Sequence, residues 1–471
     1  MKRLPVSGTA IFNDIRFWVF VFFVLRMAAI MQPPLEVAHN WRQTTVAMVA
    51  RNFYENEANI MLPRVDMAGE KSGITGMEFP LFNYLIYLVS LVFGYDHWYG
   101  RLINLIVSSL GSWSFYRLSR RFFGHQTAFA ATILLMSSLW FAYGRKIMPD
   151  TFSVSLVMIG LHMALRWYYD GQGRQWLITG ALLISFGLLS KLPAGLVMAL
   201  VPVILFDHGQ SLKRRTGLAI VMFLAVLPAA WWYGLHVPWL NEKGDFVHFF
   251  MGKPLAEGAA ELLARLPATA AMFYETAMKF SGFVFFAAGL FVVFRRGSLP
   301  VKAWLTLSSL LFLLFMFRAG ENFSRHSYYM IPFIPVMALT AAIFLTKLPG
   351  RRTIFVLLAV AMLEGLLNQQ HDFRISDNNK AILRLGHVMD QLGPKDELVA
   401  VNSGEYPTPL YFAHRKGWLL SNEQLADTLL MKELRDKGMK KVIVLKKAFG
   451  KPTGLKADIR WDDDDFRVYA Y

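Results

Sequence analysis

The stretch "MEFPLFNYLIYLVSLVFGYDHWYGRLINLIVSSLG", residues 77–111, decides how this chain is threaded through a membrane. Its first apolar run, residues 78–94, has only about 16 residues and is interrupted by Pro80 and Asn83, whereas a spanning helix needs about 20. If this run crossed the bilayer, the following basic segment "RLSRRFFG" would lie outside and every later basic cluster would be inverted, which the charge rule disfavours. We therefore predict that the run is a helix lying in the membrane interface.

Long, nearly uncharged blocks dominate the rest of the chain. It has 471 residues, of which 55% are hydrophobic and 17% charged. Blocks of this length predict an α-helical polytopic membrane protein with about 11 transmembrane helices. The predicted spans are 17–32, 99–118, 126–144, 151–168, 175–190, 192–207, 216–236, 280–294, 302–318, 329–346 and 353–368.

The basic residues lie together on one predicted side of the membrane. Clusters occur at the N-terminus (Lys2, Arg3, Arg16), at 117–121, at Arg166 and Arg174, at 213–215, at 295–296 and at 347–352. An odd number of spans puts all of them in the cytoplasm with the N-terminus, and the C-terminus outside. The chain has 49 Lys+Arg and 33 Asp+Glu, and we attribute this excess of basic residues to the cytoplasmic loops. No nucleic-acid partner is predicted. No small-residue cleavage site follows the first apolar segment, so we expect it to be retained as a span.

The predicted domains are a transmembrane catalytic domain, 1–368, and a soluble outer domain, 369–471. The first contains a long outer loop, 33–98. In the second, short apolar runs at 398–401 and 440–445 flank a helical pattern at 423–437, which is typical of a small α/β domain. The acidic run "WDDDDF" (461–466) could bind a cation, but such runs are more often solvated. The chain contains no cysteine, which leaves any metal to carboxylates and histidine.

Ionisable residues collect at the predicted outer ends of the spans. Polar groups in membrane proteins usually face a cavity and mark a substrate path. Four groups qualify: Glu36, His39, Asn40, Trp41, Arg42 and Gln43; Glu78 in "GITGMEFPL"; Arg145, Lys146 and Asp150 in "YGRKIMPDTF"; and Lys191 with Arg318, Arg325, His326, Tyr328 and Tyr329. A few carboxylates with an excess of cations suit the activation of a nucleophile and the binding of a phosphate leaving group.

Each of these residues also has a structural interpretation. Asp150 precedes a predicted helix and fits a helix cap, and a Lys or Arg at the end of a span often reaches towards lipid headgroups. Trp41 is more typical of an interfacial anchor than of a sugar-stacking platform. The functional interpretation is favoured because all four groups fall on one predicted face of the membrane.

The order of these features resembles the GT-C fold of glycosyltransferases that use polyprenyl-phosphate sugars, the class of the bacterial aminoarabinose transferases and protein O-mannosyltransferases. The segment "VAMVARNFYENEANIMLPRVD" is similar to the first-loop helix and Pro-Arg turn of that class, and residues 77–111 to its Glu-Lys-Pro-Pro-Leu helix and following span. "RKIMPDTF" resembles the acidic turn before the fourth span, and "RHSYYMIPFIP" the Tyr- and Pro-rich start of a late span. The resemblance covers most of residues 10–350 and implies juxtamembrane helices in the first periplasmic loop.

The resemblance implies an enzyme of the bacterial inner membrane, with its active site and C-terminal domain in the periplasm. It would move a sugar, with inversion, from undecaprenyl phosphate to an acceptor such as lipid A, another surface glycan or a protein. The class usually has an acidic pair where this chain has "HNWRQ", so the general base is left among Glu78, His39 and Glu36, with Glu78 and His39 favoured over Glu36; Asp150 is a further catalytic candidate.

The same resemblance assigns the substrate-binding residues and the cofactor. Arg42 is the first choice for the carrier phosphate, with Trp41, Arg145, Lys146, Lys191, Arg325, His326, Tyr328 and Tyr329 completing the predicted substrate site. Some members of the class use a divalent cation, and Glu78, Asp150 and His39 are the ligands expected for Mg²⁺, Mn²⁺ or Zn²⁺. No nucleotide cofactor is expected, because no Gly-rich nucleotide loop is found.

Two other functions remain as alternatives. A transporter or flippase for lipid-linked saccharides would place charged residues along a path through the bilayer, whereas here they collect at the outer ends. An O-antigen ligase or polymerase would use the same carriers, but its donor would be an oligosaccharide on a pyrophosphate.

Overall fold

The computed structural model describes residues 11–471, so the basic residues Lys2 and Arg3 lie outside the described part of the chain. Contacts divide the chain into two compact units. Of the described residues, the first contains 11–30, 101–233 and 250–370, and the second contains 31–100, 234–249 and 371–471. The first loop therefore groups with the C-terminal residues. The predicted division into 1–368 and 369–471 stays a prediction.

The first unit is helical, and its longer helices overlap the predicted spans, whereas the helices Leu255–Ala264 and Leu266–Ala271 lie outside any predicted span. The helices of this unit are Ile15–Arg26, Trp98–Ser137, Trp140–Tyr143, Pro149–Asp170, Arg174–Ser190, Leu200–Leu205, Leu212–Trp231, Leu255–Ala264, Leu266–Ala271, Lys279–Arg296, Leu299–Ala319, Glu321–Arg325, Ile334–Leu345 and Arg351–Asn368, with 3-10 segments at Leu192–Ala199 and Ser327–Met330 and π-helical segments at Trp232–His236 and Met272–Ala277. The predicted spans 99–118 and 126–144 meet in the helical run Trp98–Ser137, which is broken at Gly124 (φ 78°, ψ 178°).

The number of membrane spans stays open in the described part of the chain. By length and composition, two helical segments can cross a membrane, Leu212–Gly244 and Leu299–Ala319. A third is added if the pair Leu266–Ala277 and Lys279–Arg296, bent by 102°, counts as one span. Other apolar helices, such as Arg174–Ser190, are shorter than 18 residues. The expectation of about 11 spans therefore remains a prediction.

Small residues bring the helices Pro149–Asp170 and Arg174–Ser190 close together. A Cβ atom on Gly160 would lie 2.5 Å from the carbonyl oxygen of Gly180, and one on Gly180 would lie 2.6 Å from that of Gly160. Apolar helices in a membrane gain little from the hydrophobic effect when they associate, because lipid tails are as apolar as the side chains. Their packing therefore depends on close approach of the two backbones. These two glycines let the two helices pack along their length.

The second unit combines the first-loop helices with a five-stranded sheet. Its helices are Asn40–Glu55, Leu81–Phe93, Val237–Gly244, Asp377–Lys380, Leu385–Leu392, Thr408–Ala413, Asn422–Ala426, Thr428–Asp436 and Lys446–Phe449, with 3-10 segments at Gln370–Phe373 and Ala381–Arg384. The strands are β1 (Leu398–Val401), β2 (Gly417–Leu419), β3 (Met439–Leu445), β4 (Asp458–Asp462) and β5 (Phe466–Ala470), in the order β2-β1-β3-β5-β4. β1 is parallel to β2 and β3, and β5 is antiparallel to β3 and β4.

The sheet confirms two predicted strands and adds three. The runs 398–401 and 440–445 are β1 and β3, while the predicted helix 423–437 is two helices that meet at Asp427, whose side chain caps the second. The strands β2, β4 and β5 were not predicted. β2 is only three residues long and β4 is mostly exposed, so neither of these two has the apolar alternation of a half-buried strand.

The acidic run 461–466 forms the connection between β4 and β5. Three of its aspartates, Asp462, Asp463 and Asp465, are ion-paired. Asp462 contacts Lys446 at 2.9 Å and Arg467 at 2.6 Å. Hydrogen bonds from these two cations hold the pKa of the Asp462 carboxyl well below its usual range. The run therefore neutralises neighbouring basic side chains of the same domain.

Arg51 and Tyr411 join the first loop to the C-terminal residues inside the second unit. Arg51 donates to the carbonyl oxygen of Tyr411 at 2.8 Å and to Asp66 at 2.8 Å, and its guanidinium lies 4.5 Å from the centre of the Tyr411 ring. The Tyr411 hydroxyl in turn contacts Tyr95 at 2.7 Å and His97 at 2.8 Å. Because these groups are buried, they hold the helix Asn40–Glu55 in one orientation.

Candidate active site

The first loop contains a buried ion pair between Arg42 and Glu78. Arg42 lies in the first turn of the helix Asn40–Glu55, and Glu78 lies just before the helix Leu81–Phe93. The two helices pack against each other, so the ion pair forms where their N-terminal ends meet. A guanidinium that is hydrogen-bonded to a buried carboxylate fixes the orientation of that carboxylate. A group that acts on a substrate needs such a fixed orientation.

Glu36 and His39 occupy the chain just before this helix. Glu36 is buried and accepts a hydrogen bond from the side-chain amide of Gln43 at 3.0 Å. His39 has left-handed backbone angles, φ 58° and ψ 35°, which are uncommon for a residue with a side chain and occur often at functional sites. We refer to Glu36, His39, Arg42, Gln43 and Glu78 as the first-loop cluster. Trp41 is half-buried beside it.

His248 is a neighbour of this cluster that the sequence did not single out. Burial and the positive charge of Arg42 lower the pKa of the His248 imidazole to about 4, partly offset by the Glu78 carboxylate. The imidazole is therefore neutral at pH 7 and presents one donor and one acceptor nitrogen beside the ion pair. No motif marks His248, which lies in the irregular segment 245–250.

A second group of charges lies among the helices of the first unit. Lys191 contacts Asp150 at 2.6 Å; the Asp150 side chain is buried, with 3% of its surface exposed, and the Lys191 side chain is mostly buried, with 13% exposed. The ammonium also lies 4.8 Å from the centre of the Tyr328 ring. Asp150 lies in the first turn of the helix Pro149–Asp170, which agrees with its predicted position at a helix start. Lys191 lies between the end of the helix Arg174–Ser190 and the 3-10 segment that follows it.

Lys146 belongs to the same group. Its side chain is buried and its ammonium lies 5.0 Å from the centre of the Tyr143 ring, while the Tyr143 hydroxyl bonds to Ser327 at 2.6 Å. We refer to Tyr143, Lys146, Asp150, Lys191 and Tyr328 as the helix-end cluster. Two cations and one carboxylate in buried surroundings suit the binding of a phosphate group.

Asn104 holds the turn that carries Lys146, and the sequence did not identify it. Its amide group donates to the carbonyl oxygens of Tyr143 at 3.0 Å and Lys146 at 2.8 Å, and its side-chain oxygen accepts from Thr151 at 3.0 Å. An asparagine inside an apolar helix is costly unless it is fully hydrogen-bonded. That isolated polar residue in "RLINLIV" was the signal available in the sequence.

Other predicted substrate residues make contacts within the first unit. Arg145 donates to the carbonyl oxygens of Ala28 and Ala29 at 2.5 and 2.8 Å, just after the helix Ile15–Arg26. These bonds give Arg145 a structural function, and its substrate function stays a prediction. Arg325 is exposed and contacts Glu321 at 2.9 Å.

His326 and two tyrosines form an aromatic group at the start of the predicted late span. The His326 ring stacks on Tyr328, with centres 5.3 Å apart and planes 7° apart, and Tyr329 lies 4.9 Å from Tyr328. This places His326 and Tyr329 next to the helix-end cluster. Their predicted contact with substrate is not tested by this geometry.

The predicted metal ligands are not arranged as a metal site. Across residues 11–471, no three His, Cys, Asp or Glu side chains come together in a group that could hold a metal ion. Glu78 is paired with Arg42 and Asp150 with Lys191, and such cations compete with a divalent ion. The ligand set Glu78, Asp150 and His39 therefore does not fit a metal as it stands, and the divalent cation stays a prediction.

Known proteins share this fold and part of this sequence. Residues 78–233 match the family described as dolichyl-phosphate-mannose-protein mannosyltransferase. The crystal structure of ArnT from Cupriavidus metallidurans bound to undecaprenyl phosphate is 14% identical, with a TM-score of 0.63 over 97% of this chain and 98% of that one. Its apo form gives a TM-score of 0.62 with the same identity and coverage. No curated protein matches the chain in sequence.

A more distant structure supports the same fold. The apo oligosaccharyltransferase from Archaeoglobus fulgidus is 14% identical, with a TM-score of 0.56 over 91% of this chain and 69% of that one. The small C-terminal sheet accompanies a mostly helical chain, as predicted. The family match over residues 78–233 and the likeness of fold over most of the chain agree with the GT-C resemblance drawn from the sequence.

Proposed function

We propose that this enzyme transfers a sugar from a polyprenyl phosphate, of the undecaprenyl type, to an acceptor hydroxyl, with inversion at the anomeric carbon. The observation that carries the proposal is the likeness of fold over 97% of the chain to an ArnT structure that holds undecaprenyl phosphate. The two clusters of buried charge support it, because they supply the group types that the reaction needs.

The reaction needs one bond to form as another breaks. The acceptor oxygen attacks the anomeric carbon from the face opposite the phosphate, and the bond between that carbon and the phosphate oxygen breaks. The bonding electrons leave with the polyprenyl phosphate, and the hydroxyl proton passes to a protein base. The two protein tasks are to accept this proton and to stabilise the charge that develops on the phosphate.

The helix-end cluster suits the phosphate. A lysine ammonium has three N–H donors, so the contact of Lys191 with Asp150 is compatible with a phosphate contact. Lys146 supplies a second buried cation, and Arg42 stays the first-loop candidate for the same task.

The first-loop cluster suits proton transfer. Glu78 is buried and oriented by Arg42, Glu36 is buried and oriented by Gln43, and His39 follows three residues later. A carboxylate or imidazole is the usual general base for a hydroxyl. Glu78 and His39 are the favoured bases, with Glu36 as the alternative, and variants must separate the three.

The donor and the acceptor imply a location. A polyprenyl-phosphate sugar is presented in the membrane, and the acceptor would be lipid A, another surface glycan or a protein. We propose that the enzyme lies in a bacterial inner membrane with its N-terminus in the cytoplasm and the second unit in the periplasm. This placement follows from the distribution of basic residues.

The test is release of free carrier from defined donors. Purified full-length protein is incubated with a panel of undecaprenyl-phosphate monosaccharides and candidate acceptors, and free undecaprenyl phosphate and the glycosylated acceptor are measured by mass spectrometry. Transfer by the wild type and its loss in Glu78→Gln and Asp150→Asn are expected. Full activity in both variants would overturn the assigned roles, and transbilayer movement of donor without release of carrier would favour a flippase.

A further inference from the structure

We infer that a polar cavity in the second unit binds an anionic saccharide. The cavity lies between the first loop and the sheet domain. The cavity has a volume of about 580 Å³ and is lined by residues from 51–72 and from 395–416. None of its lining residues belongs to the first-loop cluster or the helix-end cluster. The inference rests on the proposed function for its biological meaning, since a transferase must recognise an acceptor as well as a donor.

The lining has more positive than negative groups. It includes the five cations Arg51, Arg64, Lys395, Arg415 and Lys416 and the three carboxylates Glu55, Asp66 and Asp396. Two of the carboxylates are already engaged inside the lining: Asp66 with Arg51 at 2.8 Å, and Glu55 with His414 at 2.8 Å. Two of the cations are paired with carboxylates outside the lining, Arg64 with Glu57 and Arg415 with Asp390 at 2.9 Å. Lys395 and Lys416 therefore supply the positive charge that favours an anionic ligand.

Arg415 provides a buried donor at the cavity wall. Its side chain is fully buried, and its terminal nitrogens bond to Asp390 at 2.9 Å and to backbone carbonyls. Its Nε–H group, also buried, has no acceptor among residues 11–471. A buried donor without an acceptor is destabilising, and a ligand oxygen that accepts its hydrogen bond would remove that penalty.

Lys416 and Lys395 supply charge on the same wall. Lys416 is half-buried and donates to the carbonyl oxygen of Lys71, and burial lowers the pKa of its ammonium. An anion in the cavity would favour the charged form and reverse this effect. Lys395 is exposed, so its contribution is long-range and sensitive to salt.

Neutral polar groups in the lining favour a hydroxyl-rich ligand. Asn52 donates to Asp66 at 2.8 Å and Asn56 donates to Asn52 at 2.7 Å, which forms a chain of amides along one side. Ser72 adds a hydroxyl that accepts from the backbone nitrogen of Ile74. Amides and hydroxyls oriented in this way recognise sugar hydroxyls.

Direct binding tests the inference without any transfer reaction. Isothermal titration of the purified full-length protein is carried out with glucuronate, glucose 6-phosphate, glucose and inorganic phosphate. We expect both anionic sugars to bind and glucose to bind at least about ten-fold more weakly. The tighter of the two anionic sugars identifies the acidic group as a carboxylate or a phosphate. Added salt should weaken binding.

Variants locate the ligand. Lys395→Glu is exposed and should fold normally, and we expect it to weaken binding about five- to ten-fold. Lys416→Met should weaken binding as well. The matched control is Lys456→Glu, an exposed lysine of the same unit that does not line the cavity, which should bind as the wild type does.

Four results would overturn the inference: no binding of either anionic sugar, equal binding of glucose and glucuronate, equal binding of inorganic phosphate and glucose 6-phosphate, or equal affinity in Lys395→Glu and Lys456→Glu. The proposed transferase function is tested separately. Glu78→Gln should abolish transfer and leave the titration unchanged, so a failure of one proposal does not resemble a failure of the other.

Discussion

Asp150 and Lys191 form a buried ion pair, with Oδ1 and Nζ 2.6 Å apart, that joins the start of one helix to the end of another. Asp150 also has a second carboxylate oxygen, Oδ2, that is buried and accepts no hydrogen bond within the described residues. A buried charge pair of this kind contributes little net stability, because desolvation offsets the attraction. Its retention in an apolar region is better explained by function.

Asp150→Asn should lower both the stability of the protein and its transfer activity. Removing one partner of a buried pair leaves the other charge uncompensated, so we expect a loss of about 3–5 kcal/mol in the free energy of unfolding. We also expect at least about a 100-fold loss of transfer, because Lys191 is no longer held in place. Thermal unfolding in detergent and release of free carrier measure the two effects.

The double variant Asp150→Asn with Lys191→Met is the control. It removes both charges, so stability should return towards the wild-type value while activity stays low. If activity returned together with stability, the pair would be structural and its assignment to the helix-end cluster's phosphate function would be wrong.

Arg42 and Glu78 should be strongly coupled. Arg42→Gln or Glu78→Gln alone leaves one buried charge, whereas the double variant leaves none. We expect the stability losses of the two single variants to sum to about 1–3 kcal/mol more than the loss in the double variant. Chemical denaturation of all four proteins measures this coupling, and simple additivity would contradict it.

Asn104→Leu tests whether the turn carrying Lys146 needs its support. The substitution has a similar volume but removes the donor for the carbonyl oxygens of Tyr143 and Lys146, at a cost of about 1–3 kcal/mol for each buried group. We expect a higher KM for the donor with a smaller change in kcat. Ser112→Ala is the control. Ser112 lies on the same helix and donates to the carbonyl oxygen of Ser108 in that helix, so this variant should leave KM unchanged. Equal KM values in the two variants would contradict this function of Asn104.

His248 should make the second unit sensitive to acid. The pKa of its imidazole is about 4 in the folded chain and 6.5 in its ordinary state. Between these values the unfolded state binds more protons than the folded state, so stability is lost as the pH falls from about 6.5 towards 4. His248→Gln removes this proton uptake. Unfolding midpoints measured from pH 7 to pH 4 should therefore fall less steeply in His248→Gln than in the wild type.

The exposed residue His387 provides the comparison for this pH series. His387→Gln should follow the wild-type pH dependence, because its side chain is exposed to solvent in both states. If His248→Gln and His387→Gln had the same pH dependence, the buried position of His248 would not be the cause of the acid sensitivity.

Apolar block length and the strand-helix pattern were enough to place most helices and two strands. The helices Arg174–Ser190 and Arg351–Asn368 begin and end within two residues of the predicted spans 175–190 and 353–368. Local hydropathy is informative here because a long apolar segment in a membrane protein satisfies its backbone hydrogen bonds as a helix. The number of spans could not be read in the same way, since several of these helices are short.

The sequence by itself determined that the charged residues lie mainly between the apolar blocks and at the ends of loops, because the apolar blocks contain few of them. Which charges meet was decided only by the tertiary structure: Glu78 with Arg42, 36 residues away, and Asp150 with Lys191, in different helices. Asn104 and His248 acquire their importance in the same way, from neighbours distant in sequence. The physical reason is that a buried polar group must find a partner, and that partner is chosen by packing.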